Sequence, residues 1–245
     1  VSLFAWIGLA ATTFGAALLQ AAGGFGFAVV ATPFYLTIVT PATAVHLVIM
    51  IATALSIAVV PRLRHAIAPG LLLRLLLGSG AGLPLGLVAF RYSNPAVIRA
   101  IAGGTVLGFA VLLALFRRRS RLLSILDATR NRDFAAGAVA GAAAALIGMA
   151  GPPVLIYLLL AGTASQVIRA TLLAFFGFVY AATLAAHTAT IGIPAQTWLT
   201  GAVMLPFALL GGRIGRPLGD RLGAGAFRLL AIGLLAVAGL LALIE

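Results

Sequence analysis

The sequence predicts an all-α polytopic membrane protein, built as two inverted repeats of about five segments each, with re-entrant or broken helices at 3–39 and 133–161. Three observations predict it. First, 63% of the 245 residues are hydrophobic and only 8% are charged, against about 25% charged in a soluble domain. Apolar runs of bilayer-crossing length, about 20 residues, recur along the whole chain and leave no polar stretch for a soluble domain. Second, sliding the chain along itself by 122 residues gives a nearly gap-free match. Third, the arginines are distributed as short cytoplasmic loops require only if the two halves point in opposite directions.

The segments, in order, are 3–22, 26–39, 42–60, 69–90, 96–116, 133–149, 152–161, 169–187, 196–212 and 226–244. The first starts without a basic flank or a clear cleavage site and reads as a membrane helix rather than a signal peptide. As one helix, 3–39 would be about 55 Å long at 1.5 Å per residue, too long for a hydrocarbon core of about 30 Å. It therefore breaks at Gly23-Gly24-Phe25-Gly26. The matching stretch 133–161 breaks at Gly148-Met149-Ala150-Gly151-Pro152-Pro153, where proline ends one helix and suits the first turn of the next. Segments 26–39 and 152–161 are too short to cross alone, as the return arm of a re-entrant pair is. The glycine rows Gly78/Gly82/Gly86, Gly104/Gly108, Gly137/Gly141 and Gly211/Gly215/Gly219 predict close helix packing.

The halves are repeats 1–122 and 123–245, joined through the arginine-rich stretch 117–132. The rare residue types carry the match: Tyr35 falls on Tyr157, His65 on His187, Pro84 on Pro206, Arg91 on Arg213 and Pro95 on Pro217. Four spans per half would make the halves parallel and scatter arginines on both sides. Five segments per half invert them and leave only Arg91 and Arg99 opposite the cytoplasm, with fourteen arginines inside. The positive-inside rule selects the inverted arrangement, with both termini extracytoplasmic.

Inverted repeats with broken helices place their ligand where the half-helices meet. The helices starting near Phe27 and Pro152 are expected to aim their N-termini inward. Each such end carries about half a positive charge and unpaired N–H donors, which together suit an anion. Gly24, Phe25, Gly26, Gly148, Gly151, Pro152 and Pro153 are the candidate backbone of that site, since glycine lets ligand and chain approach closely. The same glycines and prolines also serve simply to kink and pack helices. Gln20, one turn before the first break, offers two donors to a ligand or to a neighbouring helix. Arg169 and Thr171 sit where the second hairpin meets the next span; Arg169 either draws an anion to the inner mouth or snorkels to the interface. His46, one turn into its span on the opposite side, is a ligand, a proton carrier or a packed neutral imidazole. Tyr35, Tyr157, Trp6 and Trp198 read as interfacial anchors.

The only acidic residues are Asp127, Asp133, Asp220 and Glu245, all in loops or at segment ends. Without an intramembrane carboxylate, cation transport is disfavoured and an anion is the better substrate. There is no cysteine, which removes thiol catalysis and cysteine metal sites, and the three histidines lack metal-ligand spacing. No phosphate-binding Gly-x4-Gly-Lys-Ser/Thr loop occurs, so the chain hydrolyses no ATP and is no enzyme that these motifs would reveal. The net charge of +12 reflects cytoplasmic loops rather than nucleic-acid binding, and no cofactor is called for.

At Gly23-Gly24-Phe25-Gly26 with Pro33, at Gly148-Met149-Ala150-Gly151-Pro152-Pro153 with Tyr157, and at Arg169-Ala170-Thr171-Leu172-Leu173-Ala174-Phe175-Phe176, the sequence resembles the sulfite exporter TauE/SafE family of bacterial permeases. The resemblance extends over essentially the whole chain. It implies a secondary transporter moving sulfite or organosulfonates across the bacterial inner membrane, coupled to an ion such as H+ or Na+, with lipid around it and a homodimer as one arrangement. Gly24, Gly26, Gly151, Pro152, Pro153, Arg169 and Thr171 carry over as motif positions. The chain departs from the pattern at His46-Leu47-Val48, where many members have Gly-Thr-Ser. A passive channel for a small anion or neutral solute, and a non-transporting accessory subunit, are the competing readings.

Overall fold

Alternating runs of apolar residues and Pro/Gly punctuation fold into helices joined by short turns. The computed structural model describes residues 2–23, 26–60, 64–116 and 129–221. Among these are nine α-helices and no strand: α1 (Leu3–Gly23), α2 (Phe27–Ile38), α3 (Pro41–Val59), α4 (Pro69–Tyr92), α5 (Pro95–Phe116), α6 (Arg130–Ile147), α7 (Gly151–Leu160), α8 (Ser165–Thr190) and α9 (Ala195–Arg221), with a single 3-10 turn at Arg64–Ala66. The expected segment 226–244, the stretch 117–128, and Gly24 and Phe25 lie outside the described residues. Among the described residues, six helices are long and apolar enough to cross a membrane: α1, α3, α4, α5, α8 and α9. The two short apolar helices are α2 and α7, the expected return arms.

Helix starts follow local chemistry. Thr40 caps α3, its hydroxyl accepting from Thr43 N–H at 3.4 Å ahead of Pro41 in the first turn. Asn94 caps α5 in the same way, accepting from Val97 N–H at 2.9 Å. Two glycines carry the backbone round the breaks. Gly148 ends α6 at φ 70°, with Met149 N–H returning to the Ala143 carbonyl, and Gly26 precedes α2 at φ 117°. Both angles strain any residue with a Cβ.

Some boundaries differ from expectation. Helix α8 begins at Ser165, so Arg169 and Thr171 lie within its first two turns rather than at a connection. Helix α9 runs on to Arg221 through Pro206 and Pro217. Helix α1, at 21 residues, is about 31 Å long. By itself it is long enough to cross a hydrocarbon core of about 30 Å.

Close backbone approaches set the helix directions. A Cβ at Gly78, Gly82 or Gly86 would run into the backbone of Phe134, Ala138 and Ala142 respectively. The contacts advance together along both helices, so α4 and α6 are parallel neighbours. Gly211 and Gly215 abut Phe14 and Leu18 in the same manner, making α9 parallel to α1. Gly201 faces Leu47 and Met50, and Gly212 faces Leu55, so α3 runs with α9. Against α8, in contrast, α3 is antiparallel, since His46 meets His187 while Ser56 meets Gly177. The α4–α6 and α1–α9 seams are the most extensive helix contacts. Gly104 and Gly108 behave differently from the other rows: nothing lies within 4 Å of a Cβ built there, so their spacing does not mark a packed seam among the described residues.

Candidate functional site

The sequence candidates gather in two places, one at each break. At the first, the Phe27 N–H that opens α2 donates to Gln20 Oε1 at 3.2 Å. This is one of the free donors of a helix start, satisfied here by a buried side chain seven residues upstream. Arg169 reaches over from α8 and donates from Nη2 to the Ala21 carbonyl at 2.9 Å. Its buried Nε has no hydrogen-bond partner among the described residues. Gln20, Ala21 and Arg169 line a cavity with Leu55, Leu173 and Gly212, of about 20 Å³. That volume admits about one water and no larger solute. Gly26 shapes the turn into α2, while Gly24 and Phe25, its immediate neighbours, are outside the described residues.

At the second break, Gly148, Gly151 and Pro152 are buried and Pro153 is partly so. Gly148 lies against Val48, and Gly151 against the Phe176 ring, a Cβ at either position falling 3.3 Å from that side chain. The Ala150 N–H before α7 donates to the Tyr180 hydroxyl at 3.0 Å. His46 joins this group through His187: their Nε2 and Nδ1 atoms are 3.1 Å apart, and His187 Nε2 is 3.0 Å from the Ala145 carbonyl in the last turn of α6. Phe90 packs on both rings, with centroids 5.9 Å and 4.8 Å away. Thr171 belongs to neither break. Its hydroxyl accepts from Ala68 N–H at 3.3 Å and ties the start of α4 to α8.

The two helix starts are not bare as expected: the Phe27 N–H is taken by Gln20 and the Ala150 N–H by Tyr180. The clusters still adjoin along α8, where Leu173 faces the first and Phe176 the second.

Two further readings change. Tyr35 and Tyr157 are buried rather than interfacial. Tyr35 shares a 2.6 Å hydrogen bond with Thr13, which in turn donates to the Leu9 carbonyl. Tyr157 donates to Asp133 Oδ1 at 2.5 Å, and Arg74 Nε pairs with Asp133 Oδ2 at 2.5 Å. Asp133 does lie at a segment end, but it is 1% exposed and locks α6, α7 and α4 together. His187 entered the sequence reading only as a repeat match for His65. Its pairing with His46 spans 141 residues, and the one available signal was that both are rare polar residues in apolar spans. Among the described residues no group of three or more His, Cys, Asp or Glu could hold a metal ion.

A family model described as Sulfite exporter TauE/SafE matches residues 9–242. Comparison with curated proteins and with solved structures gave no match.

Proposed function

The chain belongs to the sulfite exporter TauE/SafE family, and from that premise we propose that it is a secondary transporter of sulfite or short organosulfonates across the bacterial inner membrane, working by alternating access. Membership and the six apolar spans make it a multi-pass membrane transporter rather than an enzyme. The observation that carries the finer reading is the cavity at the first break. There a partly buried guanidinium whose Nε has no partner among the described residues, and the buried amide that holds the start of α2, line a water-sized space. Arginine recognises oxyanions through paired donors, and the space must widen before one enters. We read the described conformation as occluded, with α8 and the α1–α2 hairpin as the parts that separate.

We propose further that the two repeats are inverted. In support, α1, α3 and α9 run one way while α4, α6 and α8 run the other, the return of α4 from α3 following from two consecutive spans. The repeat equivalents α1/α6, α3/α8 and α4/α9 are then each opposed. The Arg74–Asp133 pair also sets the starts of α4 and α6 on one face, which we take as cytoplasmic, next to 117–132. Exchange of roles between such halves is the usual basis of alternating access.

Counterflow in proteoliposomes tests the reading, with sulfite and methanesulfonate as probes. Saturable, trans-stimulated flux is expected, with Arg169→Gln weakening half-saturation about tenfold or more, as loss of a charge-assisted contact does. Folded protein without trans-stimulated flux of either anion, or with Arg169→Gln unchanged, contradicts it; unsaturable flux would indicate a channel.

A further inference from the structure

The His46–His187 pair lies outside the proposed anion cavity and has no part in the reading above. A carbonyl oxygen only accepts, so the 3.0 Å contact makes His187 Nε2 the protonated nitrogen, donating to Ala145. In a neutral ring the other nitrogen is then an acceptor. His187 Nδ1 must therefore receive the hydrogen bond from His46 Nε2 at 3.1 Å. The tautomer of each ring is fixed by the one before it, in a chain that runs from α3 through α8 to the last turn of α6. The ring nitrogen left over, His46 Nδ1, has no hydrogen-bond partner among the described residues. Both imidazoles are buried, at 3% and 0% exposure, and Phe90 covers them.

Among the described residues, nothing around the pair neutralises a proton added there. On the elements packed around the pair, α4 offers Arg91 beside Phe90 and α5 offers Arg99, both cationic. Helix α8 offers Tyr180, whose hydroxyl accepts from Ala150 N–H. The carboxylate of α6, Asp133, sits at the opposite end of that helix and is held by Arg74 and Tyr157. On α9, the stretch facing α3 near Gly201 has no ionisable side chain. An imidazolium buried without a counter-charge is strongly disfavoured. Such a pair holds a proton only while an anion from outside the protein lies near enough to balance it.

We propose that His46 and His187 form a proton-binding site of the transport cycle, loaded at His46 Nδ1 together with an oxyanion that supplies the balancing charge. One N–H bond forms on loading and the same bond breaks on release, with no other atom exchanged. The hydrogen bond to Ala145 joins the pair to the tip of the second hairpin, so the protonation state bears directly on how α6–α7 docks against α3 and α8. The link to transport rests on the transporter reading; the proton site itself does not.

Nitrogen-15 NMR of histidine-labelled protein in bicelles separates the two. The chain has three histidines, so single substitutions assign them, and exposed His65 serves as internal reference. Across the pH range in which the protein stays folded, His46 and His187 are expected to titrate as a coupled pair. Methanesulfonate, the probe anion, should raise their proton affinity about tenfold. His187→Gln should shift the His46 midpoint by a similar factor. Rings that stay neutral over the whole range with the anion present, or a His46 titration unaltered by His187→Gln, overturn the proposal whatever the flux assays give. In proteoliposomes, His187→Gln and the size-conserving His46→Gln should each lower the ratio of proton-gradient-driven sulfite uptake to sulfite exchange about tenfold. An unchanged ratio in both variants overturns the coupling, even where the NMR titration succeeds.

Discussion

Repeat-equivalent tyrosines sit in both hairpins, yet their surroundings differ in kind. Tyr35 on α2 meets Thr13, a neutral partner that completes its own hydrogen bonding on the Leu9 carbonyl. Tyr157 on α7 meets Asp133, which also holds Arg74. The first arrangement stays within one hairpin. The second bolts the α6–α7 hairpin to α4, a helix of the other half. At positions matched by the 122-residue shift the residue type is thus kept, while one copy becomes an electrostatic fastening between distant helices. The difference also assigns mobility: on this account the α1–α2 hairpin is freer to part from α8, at the Arg169 cavity, than α6–α7 is to part from α4.

Substitutions can break that contrast. Asp133→Ala should have the largest effect, destabilising the purified protein by about 3 kcal/mol in thermal or denaturant unfolding. It strands a guanidinium in a partly buried site, and the low end of the range for a broken buried pair applies because Arg74 is one-third exposed. Removing both charges, with Arg74→Leu added to Asp133→Leu, should recover much of the loss. Gly82→Leu comes next, at about 2 kcal/mol by the same measurement, since its side chain drives into the Ala138 backbone. Thr13→Val removes two neutral buried hydrogen bonds, with Tyr35 and to the Leu9 carbonyl, and should cost about 1.5 kcal/mol. The smallest effect belongs to Gly104→Ala, within about 0.5 kcal/mol of the parent, because nothing stands within reach of the new methyl group. Equal losses for Asp133→Ala and Thr13→Val would erase the distinction between the hairpins.

Much of the helix pattern was legible in the sequence because it is written in local chemistry. Apolar runs of span length, glycines at positive φ and prolines in first turns depend on neighbours in the chain. The short return arms α2 and α7 were likewise visible, as lengths that cannot cross. Relations between distant segments were not legible. Gly104/Gly108 and Gly82/Gly86 share a spacing, but only the second pair has a partner helix, and spacing alone cannot supply one. Asp133 stands beside a loop in sequence, and only folding brings Arg74, 59 residues away, to pair with it. That each helix start carries its own side-chain partner was not legible either, since Tyr180 lies 30 residues from Ala150. His187 was overlooked as a partner for His46 because no motif joins residues so far apart.

The opposed orientation of the repeats is the claim on which the transport cycle depends, and thiol labelling tests it most directly. The chain has no cysteine, so Ala42→Cys and Ala164→Cys each introduce a unique thiol. The two positions are 122 residues apart, exposed, and placed alike at the starts of α3 and α8. With a membrane-impermeant maleimide on intact cells and on inverted vesicles, position 42 should react from the outer face and position 164 only from the cytoplasmic face. Reaction of both from the same face would mean parallel halves, and the account of exchanging roles would be wrong.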